Sequence, residues 1–143
     1  MIYHHILAAY DGSPVAEKAL QQAVKLAESK PGSRLTVVHV YSRKALLFVG
    51  YGYVPPIDYH ERMMEYEASL LEHAQLLLSS LPYTNVVMLQ GDVAATILKY
   101  AHDHNCSLIV MGSRGLGAIK EWMLGSVSHH VVMKARIPVL IVK

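Results

Sequence analysis

Between Met111 and Ser128 the chain reads Met111-Gly112-Ser113-Arg114-Gly115-Leu116-Gly117-Ala118, continues through Ile119 to Leu124, and closes on Gly125-Ser126-Val127-Ser128. Four of these residues are glycines. A residue without Cβ lets backbone N–H groups approach a ligand closely and tolerates positive φ. Ser126 and Ser128 carry hydroxyls, and Arg114 can make charge-assisted bonds to an anion. If a helix starts near Ser126, its unsatisfied N–H groups and the positive end of its dipole add to the same field. The chemistry such a segment suits is the cradling of phosphate oxygens.

Two familiar phosphate motifs do not account for it. Gly112-x-x-Gly115-x-Gly117 lacks the GxGxxG spacing, follows a late strand, and has no acidic residue about 20 positions on. A P-loop is also missing, because no Gly-Lys-Ser/Thr occurs. Read alone, the glycines fit an anion cradle or an ordinary surface loop. Other candidates are sparser. Asp11 stands at the end of the first strand, where it can bond a ligand or help hold Mg²⁺, or simply stabilise a turn and helix start. His102-Asp103-His104 has the wrong spacing for two rings to converge on one metal and reads as a helix end. His129 and His130 fall in the last helix, His39 reads as a satisfied buried histidine, and Met63 and Met64 read as packing. Cys106 precedes an apolar run and reads as a small buried side chain. No set of nucleophile, base and orienting group assembles from these residues.

The elements that position the segment follow from hydrophobic patterning. Ile6 to Tyr10 is a short buried strand, broken by Asp11-Gly12-Ser13-Pro14. Ser13 suits an N-cap and Pro14 the first helical position. Ala16, Ala19, Leu20, Ala23, Val24 and Ala27 form one apolar helix face, ended by Pro31-Gly32. Leu35 to Val40 is a second strand. Residues 41–60, with Tyr41, Tyr51, Tyr53 and Tyr59, read as a long loop of the kind that is functional or disordered. A helix over 61–81 is stopped by Pro82. A strand over 85–89, a helix after Gly91-Asp92, the strand Leu108 to Met111, a helix over 126–135 and the strand Pro138 to Val142 complete the chain. Alternating elements with near-continuously apolar strands imply α/β architecture, a parallel sheet covered by helices on both faces. Ligands of such sheets sit at the carboxyl ends of the strands, where strand order reverses.

The longer spacing is the specific signal. Gly112, two residues, Gly115, nine residues and Gly125-Ser126 resembles the nucleotide-binding motif of the universal stress protein (UspA-like) family, in its ATP-binding subgroup. The likeness extends to Ile6 to Ser13, to Val38-His39-Val40 and to Ile137 to Val142. It implies one three-layer αβα domain over residues 1–143, Rossmann-like and adenine nucleotide alpha hydrolase-like, with a five-stranded parallel sheet in the order 3-2-1-4-5. It implies ATP as ligand, with Mg²⁺. By the same resemblance Ala9, Tyr10 and Asp11 border the adenine or ribose, and the Val40 backbone meets the adenine edge. Met111 and Gly112 lie against the ribose. Ser113, Arg114, Gly115, Leu116 and Gly117, with Gly125, Ser126, Val127 and Ser128, wrap the phosphates. Tyr10 is bulkier than the family residue often found there; it narrows the adenine side or points into the sheet. A nucleotide-dependent regulatory or stress-response role follows, with slow ATP hydrolysis or nucleotidyl transfer in the same pocket as the alternative.

Composition bounds the partners. The 143 residues are 52% apolar and 17% charged, with a formal net charge of +2, and no Lys/Arg run forms a basic stripe for nucleic acid. One cysteine permits no internal disulfide. Residues 1–10 lack a basic signal-peptide start, and no apolar stretch approaches the roughly 20 residues of a membrane span. The expectation is therefore a cytoplasmic protein with no membrane partner. In the family order the strand Pro138 to Val142 is an apolar sheet edge, which pairing in a two-fold homodimer would cover.

Overall fold

The computed structural model describes residues 3–42, 52, 57–114 and 123–143. Gly115, Leu116 and Gly117 lie outside the described residues, as does most of the tyrosine-rich stretch over 41–60. Among the described residues nine elements alternate: β1 (His5–Ala9), α1 (Pro14–Glu28), β2 (Arg34–Tyr41), α2 (Tyr59–Leu77), β3 (Thr84–Gln90), α3 (Val93–Asp103), β4 (Leu108–Gly112), α4 (Ser126–Lys134) and β5 (Val139–Val142). All five strands are parallel, in the order β3-β2-β1-β4-β5. The expected sheet order and fold class are both observed.

Strand side chains alternate between two cores, as the period of two requires. Ile6, Ala8, Leu35, Val37, Leu108 and Val110 face α1 and α2. Leu7, Val38, Val40, Ile109 and Met111 face α3 and α4. A sheet buried on both sides explains why the strands read as continuous apolar runs. Helix α1 meets the sheet through Ala16, Ala19, Leu20, Ala23 and Ala27. Four alanines in that stripe let the helix axis come close. Its start is fixed locally: Ser13 Oγ accepts from the Ala16 N–H at 3.2 Å, and Pro14 opens the first turn. Helix α3 is capped in the same way by Asp92, whose Oδ2 accepts from the Ala95 N–H at 3.0 Å.

Helix α2 differs from its sequence-based bounds. It begins at Tyr59 rather than residue 61 and ends at Leu77 rather than Leu81. From Leu78 on the amides turn to nearer carbonyls, with Leu78 N–H shared between Ala74 and Gln75, Ser79 N–H donating to Leu76 and Leu81 N–H to Leu78. The last turns thus tighten before Pro82 stops the chain. Met64 lies on the outer side of α2 and is exposed, contrary to its expected packing role. Helix α3 closes as a Schellman turn. Asn105 adopts φ 51°, Cys106 N–H donates to the Ala101 carbonyl, and Asn105 N–H donates to that of His102. The His102-Asp103-His104 cluster is the helix end expected from its spacing. Asp103 pairs with Lys99 and His102, and the His104 ring stacks on Tyr100. Among the described residues no group of three or more His, Cys, Asp or Glu side chains is placed to hold a metal ion. Nor is any helix among them long and apolar enough to cross a membrane.

At the opposite end of the sheet from the glycine segment, His5 ties β1 to its neighbours. A carbonyl can only accept, so His5 Nδ1 carries the proton it donates to His104 O at 3.1 Å; the neutral ring's Nε2 then accepts from Thr36 Oγ1 at 2.9 Å. Burial depresses the His5 pKa below 6.5, outweighing the bond to the His104 carbonyl, which raises it. The unfolded chain, whose His5 keeps its ordinary pKa, therefore binds the proton first as pH falls. Stability contributed by neutral His5 is present above about pH 6.5 and is lost as pH drops below it. Urea unfolding at a series of pH values should show a steeper loss from pH 7 to 5 in the wild type than in His5→Gln. Parallel profiles would remove His5 as a source of acid sensitivity.

Candidate functional site

Strand order reverses between β1 and β4, which lie side by side with Ile6 opposite Leu108 and Ala8 opposite Val110. After β1 the chain turns to the α1 face. After β4 it reaches α4 on the other face. The carboxyl ends of the two strands are left uncovered between these departures. A cleft of about 410 Å³ lies there, lined by Ala9, Tyr10, Asp11, Ala16, Val38, Val40, Val93, Ile97, Met111, Gly112, Arg114, Gly125, Ser126, Val127 and Ser128. Eleven of the fifteen residues named from sequence therefore line one cavity. Gly115, Leu116 and Gly117 lie outside the described residues, and Ser113 stands behind the wall.

The floor is built by the β1–α1 turn. Asp11 Oδ1 accepts from the Ser13 N–H at 2.9 Å, and the Asp11 carbonyl accepts from Tyr66 Oη of α2 at 2.9 Å. Asp11 thus does turn work while lining the cleft. His39, buried on β2, donates from Nδ1 to the Tyr10 carbonyl at 2.9 Å, which fixes the end of β1. The Tyr10 ring belongs to the core beneath α1 and α2, and its hydroxyl donates to Glu17 Oε2 at 3.0 Å. Burial, then the hydrogen bond to the Glu17 carboxylate, pushes the phenol pKa well above its ordinary value. Tyr10 is consequently neutral across physiological pH and points into the sheet's packing.

The roof is a clamp between the two ends of the glycine segment. The Ser113 carbonyl accepts from the Gly125 N–H at 2.7 Å and from Ser128 Oγ at 2.7 Å, while the Ser113 N–H donates to Val142 O at 2.8 Å. Ser128 is buried and has one proton to donate, which its contacts to the Ser113 and Gly125 carbonyls engage. Its position is that of a strut, and what remains toward the cleft is an acceptor. Helix α4 begins differently from α1 and α3. Its N-cap, Gly125, gives no side-chain hydrogen bond, and no acidic residue stands in its first turn. The N–H groups at that helix start, which have no intrahelical acceptor, are left for a ligand. Arg114 is half-buried on the wall and forms no ion pair among the described residues.

Sequence reasoning missed Ala16, Val38, Val93 and Ile97 as lining residues. Val93 and Ile97 are one turn apart at the start of α3, and their shared face opens at the same sheet edge. His129, considered for the phosphate end, is exposed and outside the lining.

A doubly wound parallel α/β sheet with a half-apolar cleft at its reversal point defines a class of ligand-binding domain. Within it the family is shown. The family model for universal stress proteins matches residues 2–143, and the chain belongs to that family. It is 37% identical to the universal stress protein YxiE of Bacillus subtilis, over 99% of this chain and all of that one. It is 38% identical to a universal stress protein of Thermus aquaticus, with the same coverage. Among solved structures, MJ0577 superposes with a TM-score of 0.82 at 27% identity, over 100% of this chain and 97% of that one. The universal stress protein from Archaeoglobus fulgidus in complex with dAMP shares the fold, with a TM-score of 0.69 at 24% identity, over the whole of both chains.

Gly112 has a second role. A Cβ there would stand 2.7 Å from Val15 Cγ1 and 3.2 Å from the Val15 carbonyl carbon in α1. Gly112→Val therefore tests packing before it tests binding. Forcing a branched side chain into that contact should lower stability by about 1–3 kcal/mol, measured by urea unfolding. An unchanged midpoint would show that α1 yields freely.

Proposed function

We propose that the chain binds ATP in the cleft between β1 and β4 and acts as a nucleotide-dependent regulatory protein of the stress response. The observation that carries this reading is the uncapped start of α4 at Gly125, directly beside Arg114, on a cavity that Val38, Val40, Ile97 and Met111 also line. These four apolar residues suit a flat heteroaromatic base; Ala9, Tyr10 and Asp11 border it. Met111 and Gly112 lie beside the sugar. Arg114 and Gly125 to Ser128 border the phosphates, with Arg114 supplying positive charge. Ser128 contributes by holding Ser113 and Gly125 in place. The dAMP complex of the A. fulgidus protein supports the choice of an adenine nucleotide. Asp11 is the carboxylate that lines the cleft, and it is the residue to assist a magnesium ion carried in with the triphosphate. No histidine and no second carboxylate line it among the described residues, so the reading is of binding rather than turnover.

Titration calorimetry with ATP and Mg²⁺ should give saturable one-site binding. Arg114→Gln should weaken it about tenfold or more, since a hydrogen bond to a charged group contributes about 1.5–3 kcal/mol. No heat at millimolar ATP would overturn the proposal.

We further propose a homodimer through β5. Among the described residues that strand pairs only with β4, its Leu140 is exposed, and Val132 and Met133 of α4 are exposed nearby in sequence. Open backbone groups beside apolar side chains favour a second copy. Light scattering at micromolar concentration should report twice the chain mass, and Leu140→Lys should return the monomer mass. A wild-type monomer would refute the dimer.

A further inference from the structure

A second cleft, of about 390 Å³, lies between the C-terminal ends of α3 and α4, at the end of the sheet opposite the nucleotide cleft. Its floor is Ala101, Cys106 and Ile109, all buried, and Ile137 adds an apolar wall. Its volume falls in the range of clefts that take small organic ligands, about 300–1,000 Å³. Lys134 and Arg136 are exposed on its rim and form no ion pair among the described residues. Lys99 also stands on the rim, bonded to Asp103 on the next turn of the same helix. No carboxylate lines the cleft among the described residues.

Two features make this more than the ordinary cationic end of a helix. Several carbonyls at the two helix ends are already bonded: those of Ala101 and His102 accept from Cys106 and Asn105, and that of Val131 accepts from Ala135. Arg136 lies one residue past the C-cap of α4 and adds a second cation beside Lys134, which stands in the last turn. The result is an apolar trough with unopposed positive charge on one side.

We propose that this second cleft binds a small amphipathic monoanion, a molecule with a hydrocarbon or aryl body and one carboxylate. The body displaces water from Ala101, Ile109 and Ile137, and the carboxylate sits between Lys134 and Arg136. Burial of the body supplies affinity, and the two cations select an acid over a neutral analogue of the same length. Cys106 serves as floor only, because burial pushes its thiol up to about 11 and the thiolate is scarce near neutral pH. The nucleotide cleft is lined by none of these residues, so binding here stands whether or not ATP binds there.

The test is two-dimensional NMR of the full chain titrated with octanoate and, separately, with octan-1-ol. Octanoate should shift the amides of Ala101, Cys106, Ile109 and Ile137 saturably. Octan-1-ol should bind at least fivefold more weakly. The double variant Lys134→Glu, Arg136→Glu should lose octanoate at least fivefold while its thermal midpoint holds, and Arg136→Gln, a milder change, should show an intermediate loss. Excess ATP should leave the octanoate shifts in place. Equal binding of acid and alcohol, shifts centred on Val40 and Met111, undiminished binding by both variants, or no shifts at millimolar octanoate would each overturn the proposal.

Discussion

The structure depends on one topological constraint: β1 and β4 are hydrogen-bonded neighbours whose chains leave the sheet toward opposite faces. Parallel strands need crossovers on a face, and a right-handed crossover can move only one way along the sheet on a given face. Placing α1 and α2 on one face carries β2 and β3 outward in one direction. Placing α3 and α4 on the other carries β4 and β5 outward in the opposite one. The gap at the reversal is therefore unavoidable once the helices divide two and two. Nothing in the chain has to carve the cleft; the residues at its edge have only to suit what enters.

What those residues add is rigidity without bulk. Three hydrogen bonds centred on Ser113 fasten the end of β4 to both β5 and the start of α4. On the other side, His39 holds the Tyr10 carbonyl and Tyr66 holds that of Asp11. Polar side chains next to the cleft are thus mostly engaged with backbone. Among the described residues the helix-start amides of α4 have no intrahelical acceptor and Arg114 has no ion pair, which is the division of labour that the proposed anion site requires.

Much of this was legible in the sequence. The period-two and helical patterns, the Ser13-Pro14 start and the glycine spacing located the strands and helices of the described residues. Continuous apolar runs in β1 and β4 implied a sheet buried on both faces, and the strand–glycine–helix order placed the segment at its carboxyl edge. Three things were not legible, each for a physical reason. The role of Ser128 depends on which way one hydroxyl turns, and that is decided by a carbonyl fifteen residues away. The end of α2 depends on a tightening of its last turns that propensities do not encode. Val93 and Ile97 belong to the core face of α3, and only the height at which α3 starts against the sheet makes them line the cleft as well.

The contact between Gly112 and Val15 also changes how the two flanking glycines should be read across related sequences. A glycine that ends β4 and is required by its contact with α1 would persist in a descendant that had stopped using the cleft, since its replacement disturbs folding first. Gly125 meets Arg114 less tightly, with a hypothetical Cβ at 3.1 Å from the Arg114 Cα. Its retention carries more information about the ligand. In a lineage drifting away from nucleotide, the second glycine should erode before the first, and the pair would date the loss.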